Sequence, residues 1–193
     1  MMMKNDQARI DHLPMMAMFD LRGSKQGLTK ALAGAGFTMP EGRNHLERHS
    51  AGVELAQLGP QRVLVLADLS QEAQLNAGFS RGFGAVADAD FALVSDMFVG
   101  FDLRGQGAED VLSQGAPLDL SHESFPIGCT TGTELWSTSV IIMRLAGHPD
   151  HFRILVERSY AGYIEDWLHV ASGRPSNVRP GVMSSPPSSI RPA

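Results

Sequence analysis

A five-residue string occurs twice in this chain: Phe19-Asp20-Leu21-Arg22-Gly23 returns unchanged as Phe101-Asp102-Leu103-Arg104-Gly105, 82 residues later. Five identities alone are within reach of chance, but the stretches downstream of the two copies also match in pattern. A short polar link leads to a helical pattern, with Leu28, Ala31 and Leu32 in residues 28–35 and Ala108, Val111 and Leu112 in residues 108–114. Behind each helix come a hairpin and a closing helix. The order strand, helix, strand, strand, helix therefore occurs twice, in halves of about 13–82 and 91–172. This predicts an α+β fold, a pseudo-duplicated unit with largely antiparallel sheet and its halves packed about a pseudo-twofold axis. A unit this long, present only twice, excludes a solenoid.

The hairpins are read from local pattern. Residues 53–58 and Val63-Leu64-Val65-Leu66 flank the turn signal Gly59-Pro60, and a helical segment comes next at 71–79. In the second half, the β-rich run 135–145 and the alternating Phe152, Ile154 and Val156 flank Gly147-His148-Pro149-Asp150. The closing helix spans 159–172. Tyr160, Tyr163, Ile164, Trp167, Leu168 and Ala171 recur at helical spacing and are expected to face the core, with Ser159 as cap and Gly173 as stop.

Domain limits come from composition. Residues 1–12 are polar and read as an N-terminal extension, and 13–172 as the folded domain. Residues 173–193 hold five prolines and five serines and read as a tail. That tail either stays without fixed structure or orders only against a partner; composition does not separate the two. With 43% apolar and 19% charged residues, the domain can bury a core without staples. A formal charge of −5 disfavours nucleic acid as a partner. The richest apolar run, Val140 to Met143, ends at Arg144, so no segment reads as membrane-spanning or as a signal peptide. One cysteine, Cys129, excludes an internal disulfide and a cysteine-built metal site, and the expected location is cytoplasmic.

The reactive side chains offer several candidates, none with a convergent partner. Cys129 lies in the glycine-bounded Gly128-Cys129-Thr130-Thr131-Gly132, where His122 or His151 could approach it as a base; a small residue in a turn is the favoured reading. The same loop has the form of an anion nest but lacks the Lys-Ser/Thr of a phosphate loop. His45 with His49, and His148 with His151, have spacings compatible with metal, yet surface positions explain them better. Asp102, Glu109, Asp110, Asp119 and Glu123 form an acidic middle without established convergence. Gly34-Ala35-Gly36 reads as a helix stop rather than a dinucleotide fingerprint. Met15, Met16 and Met18 read as core filler ahead of an adaptable surface. No catalytic, cofactor-binding or metal residue is assigned, which points to a binding or assembly role.

An ordered series of short strings then resembles a known family across roughly residues 15–171. It runs through Leu21-Arg22-Gly23, Gly36-Phe37-Thr38-Met39-Pro40 with Asn44, residues 58–66, and Val94-Ser95-Asp96. It continues through Leu103-Arg104-Gly105, Leu118-Asp119-Leu120, Phe125-Pro126 with Cys129-Thr130, and Val156-Glu157-Arg158-Ser159 leading to Trp167-Leu168. The chain is similar to the gamma subunit of heterotetrameric sarcosine oxidase. The resemblance implies a part in a complex that oxidatively demethylates sarcosine to glycine, an oxidoreductase of sarcosine catabolism and one-carbon metabolism. It implies that FAD, FMN, NAD and tetrahydrofolate belong to the other subunits. The implied partners are the larger alpha subunit, with beta and delta in the complex, and this chain is itself non-catalytic. It further implies the fold of the folate-binding domain of aminomethyltransferases, although this chain is too short for their later domains. The corresponding small subunit of N-methylglutamate dehydrogenase and an independent folate-binding one-carbon transfer protein are the alternatives. Trp136 and Phe125 are the candidate docking anchors.

Overall fold

In the computed structural model, residues 8–173 are described, so the expected tail, apart from Gly173, lies outside the described residues. The first half runs β1 (Arg9–His12), β2 (Met16–Gly23), α1 (Lys25–Gly34), β3 (Leu46–Arg48), β4 (Glu54–Gly59), β5 (Arg62–Asp68), α2 (Glu72–Phe83) and β6 (Ala89–Leu93). The second runs β7 (Phe98–Arg104), α3 (Ala108–Ser113), β8 (Thr130–Leu135), β9 (Thr138–Gly147), β10 (Asp150–Glu157) and α4 (Ala161–Ala171). The strands form two five-stranded sheets, ordered β3-β4-β5-β2-β6 and β8-β9-β10-β7-β1. Every pairing between these strands is antiparallel.

Set side by side, the two orders are the same, and the repeated pentapeptide occupies β2 in one and β7 in the other. The edge strands are exchanged. β1 leads into β2 but pairs with β7, while β6 leads into β7 but pairs with β2. The chain thus crosses between sheets twice, and matching hydrogen bonds mark both crossings: Leu13 N–H to Gly100 O at 2.9 Å, and Val94 N–H to Met18 O at 2.8 Å. Residues 9–12, expected outside the domain, are therefore part of a sheet. The expected five-element unit also gains β3 and β8, both too short or too polar to show alternation in sequence.

Three apolar layers hold this arrangement. α1 and α2 cover the outer face of the first sheet over Phe19, Leu21, Val63 and Val65. α3 and α4 cover the second over Phe101, Leu103, Ile142 and Ile154. Between the sheets lie Met18, Leu64, Leu66, Ile141, Met143 and Leu155. Central strands are buried on both faces, which explains unbroken runs such as Val63-Leu64-Val65-Leu66. The half-buried reading of β10 is corrected accordingly, because Leu155 points into the inter-sheet core and is fully buried. α1 starts as its sequence predicts, with Ser24 Oγ accepting from Gly27 N–H at 2.9 Å, and stops where Gly36 takes φ +89°.

Two expectations for α4 need correction. Ser159 is not its cap: a 3-10 turn over Arg158–Tyr160 precedes the helix, and Tyr160 stands at the cap position without a side-chain bond. Of the six predicted core positions, Ile164 and Leu168 are fully buried, whereas Tyr160, Tyr163 and Trp167 are exposed. These aromatics lie on a neighbouring stripe of the helix, rotated away from the sheet. No helix among the described residues is long and apolar enough to cross a membrane.

Candidate functional site

The second copy of the pentapeptide organises the densest polar cluster. On β7, Phe101 and Leu103 face the helices, so Asp102 faces the other sheet, where it is 1% exposed. Its carboxylate accepts from Arg153 Nε at 2.9 Å, from Arg104 at 2.7 Å, and pairs with His151 Nε2 at 2.9 Å. Burial alone pushes this carboxyl upward; the hydrogen bonds from His151 and Arg153, with their charges, outweigh it and hold it below the usual carboxylate range. Arg153 also donates from Nη1 to Glu54 on β4 at 2.8 Å, and Arg48 donates to the other Glu54 oxygen at 3.0 Å. An ionic ladder, Asp102–Arg153–Glu54–Arg48, thus crosses from one sheet to the other. Among the described residues the first copy has no such ladder. Asp20 is held by Arg22 and Arg62 within its own sheet.

A second cluster surrounds Arg144 on β9, 1% exposed. Its guanidinium donates to Asp150 at 2.7 Å, to Glu109 at 2.9 Å and to Leu120 O, and lies 4.4 Å from the Phe152 ring centroid. Nε has no hydrogen-bond partner among the described residues. Beside it opens a recess of about 640 Å³ lined by Gln106, His122 and His148, among others. Glu109 and Asp150 already neutralise the guanidinium, so Arg144 ties α3, the 120s loop and the β9–β10 turn together.

The remaining predicted groups stay apart. Cys129 N–H donates to Pro126 O and Cys129 O accepts from Arg144 N–H, while His45 forms an isolated bridge with Cys129 that joins the two sheets at a corner. Burial raises the thiol's pKa and outweighs the lowering effect of the Arg144 charge, so it is a poor nucleophile. His122 packs against Gly147 and His148, and His151 is spent on Asp102. The loop's amides at Gly128, Cys129 and Thr130 are bonded to Arg144 O, Pro126 O and Asn44 O, which leaves no anion nest. His45 and His49 flank β3, where His49 packs edge-on against Phe37. Among the described residues no three His, Cys, Asp or Glu side chains are grouped to hold a metal.

Asp119 accepts from Ser124 Oγ and Ser121 N–H, which lowers its pKa and closes a turn. Met18 is in the inter-sheet core and Met15 is exposed, so the methionine group is divided between filler and surface. Phe125 is buried and cannot serve as a docking anchor, whereas Trp136 is half-exposed at the β8–β9 turn. The ladder was not legible in the sequence: Glu54 and Arg153 carry no motif, and only the register of β7 against β10 brings Arg153 opposite Asp102.

Known proteins resemble the chain in sequence and in fold. The model of the family described as sarcosine oxidase, gamma subunit, matches residues 44–174. Heterotetrameric sarcosine oxidase from Corynebacterium sp. U-96, solved with pyrrole 2-carboxylate, aligns with TM-score 0.78 at 21% identity, covering 86% of this chain and 84% of that one. Glycine cleavage system aminomethyltransferase T from Bartonella henselae aligns with TM-score 0.62 at 18% identity, covering 86% of this chain and 46% of that one. No curated protein matches by sequence.

Proposed function

The chain belongs to the sarcosine oxidase gamma subunit family, and from that premise we propose that it is a non-catalytic subunit of a heterotetrameric oxidase that demethylates sarcosine to glycine. The family match over residues 44–174 carries the reading. The chemistry of the side chains supports it: His151, Asp102 and Arg144 are engaged in hydrogen bonds and ion pairs that hold the fold, and Cys129 packs partly buried against the core. In this reading the partners are the larger alpha subunit, with beta and delta in the same complex, and the complex works in the cytoplasm.

FAD, FMN, NAD and tetrahydrofolate are assigned to those other subunits. Tetrahydrofolate is the one the aminomethyltransferase-like fold brings into question. The cleft of about 510 Å³ beside Phe98 and Ile141 also carries Glu134 and Glu157, and the one guanidinium that lines it among the described residues, Arg62, is already paired with Asp20. That donor set is a poor match for a ligand with an anionic glutamyl tail.

The test is co-expression with the larger subunits. The chain should co-elute with them, and omitting it should lower the yield and lifetime of assembled flavoenzyme. A fully active, equally stable oxidase lacking this chain would overturn the assembly role. Saturable tetrahydrofolate binding by the isolated chain in a calorimetric titration would favour an independent folate-binding protein instead.

A further inference from the structure

The exposed aromatics of α4 form a continuous feature. Tyr160, Tyr163, Trp167 and Val170, at successive steps of three, four and three residues, make one stripe along the helix, each 40–49% exposed. Trp136 extends it sideways, stacked on Trp167 with ring centroids 5.7 Å apart and planes 17° from parallel. The turn that delivers Trp136 is costly, because Trp136 and Ser137 both take positive φ, +47° and +63°. Contacts on both sides hold it there, and Trp136 N–H donates to Gly115 O at 3.0 Å. Tyr163 Oη donates to Trp136 O at 3.0 Å, and the indole lies so close on Gly115 that a Cβ there would overlap the ring. The positive φ values belong to the two-residue β8–β9 turn itself; what singles the place out is the contiguous exposed aromatic area it completes.

We propose that the occupant is this chain's own segment 174–193, laid back along the α4 stripe. Four observations select it. The helix ends at Ala171, and the described chain leaves at Gly173, next to the Trp167–Val170 end of the stripe, so the segment starts beside its site. An 11-residue helix is about 16 Å long, which six or so extended residues span at about 3.1 Å each. The segment has matching chemistry, with prolines 175, 180, 186, 187 and 192 to pack on aromatic faces and Arg174, Arg179 and Arg191 for cation–π contact. Its charge is complementary too. It carries three arginines and no acid, leaving the rest of the chain with 13 basic and 21 acidic residues, and Asp166 sits at the stripe's margin between Tyr163 and Val170.

The chain's two tryptophans are Trp136 and Trp167, so its indole fluorescence reports on this patch alone. The test compares acrylamide quenching of the full chain, the full-length variant R174S/R179S/R191S, and a chain ended after Gly173. Ending the chain should raise the quenching constant roughly twofold and shift emission to longer wavelength, as covered rings become accessible. The arginine variant should lie between, and added salt should move the intact chain towards it. Equal quenching of the intact chain and the full-length arginine variant, with salt without effect, would overturn the proposal even if the shortened chain fails to fold. Protection that is absent in all three chains and arises only on adding the larger subunits would overturn it as well, and assign the stripe to a partner subunit. This reading does not rest on the assembly role, and it can fail while co-elution with the larger subunits holds.

Discussion

Replacing Arg153 by Met tests whether the inter-sheet ladder couples the two halves. The side chain is 14% exposed and holds Asp102, 1% exposed, and Glu54, 14% exposed. Removing one partner of a buried pair typically costs about 3–5 kcal/mol, because a charge remains without its counter-ion. Here Asp102 keeps His151 and Arg104, and Glu54 keeps Arg48, so the loss falls at or just below that range, about 2–3 kcal/mol. The pH dependence gives a second readout. Asp102 is held below its unfolded pKa, so its contribution is present at neutral pH and is lost as pH falls through the folded value. Without Arg153, desolvation weighs more, the folded pKa rises, and stability should fall less steeply between about pH 5 and pH 3. Urea denaturation at several pH values measures both. A loss under about 1 kcal/mol at neutral pH, with an unchanged acid limb, would show that the ladder is incidental.

Gly82→Ala should destabilise the chain by about 1–3 kcal/mol in urea, since the new Cβ meets Ala31 O and lies 2.9 Å from Ala35 N, forcing α1 and α2 apart. Arg144→Met should cost about 3 kcal/mol or more by leaving Glu109 and Asp150 without their cation. Arg144→Lys should recover only part of that, because an ammonium cannot reproduce the fork. Cys129 should react with a thiol reagent more slowly than a free cysteine at pH 8, and unfolding in urea should restore the ordinary rate, since burial raises its pKa.

How much of the fold can be read in the sequence depends on how far apart the interacting residues lie. α1 and the β4–β5 and β9–β10 hairpins rest on neighbours in the chain, and turn signals such as Gly59-Pro60 and Gly36 place them. β1 and β6 do not. Arg-Ile-Asp-His has no apolar period, and it becomes a strand because β7 offers an unpaired edge to a segment passing on its way to the other sheet. The α4 aromatics failed for a different reason. Helical spacing identifies neighbouring rows on the helix but does not say which row meets the sheet, and Ile164 and Leu168 take that place. Asp102 was visible as one carboxylate among several; its significance depends on Arg153 and Glu54, 51 and 99 residues apart from their partners in the ladder.

The duplication makes the ladder's design testable from the opposite side. Register pairs Asp20 with Leu64 and Asp102 with Arg153, so Leu64 is the counterpart of Arg153; by the same reckoning Ile141 is the counterpart of Glu54. Leu64 and Ile141 both lie in the inter-sheet core. One crossing of the pseudo-twofold is therefore apolar and the other ionic, and each needs both members. Leu64→Arg alone buries a guanidinium against Ile141, beside an Asp20 whose carboxylate is already held by Arg22 and Arg62, and should be strongly destabilising. Adding Ile141→Glu supplies its partner and should recover a coupling energy of about 0.5–3 kcal/mol in a double-mutant cycle. Strict additivity of the two substitutions would mean that the halves do not share one geometry between the sheets, and the equivalence inferred from Phe-Asp-Leu-Arg-Gly would hold for strand order alone.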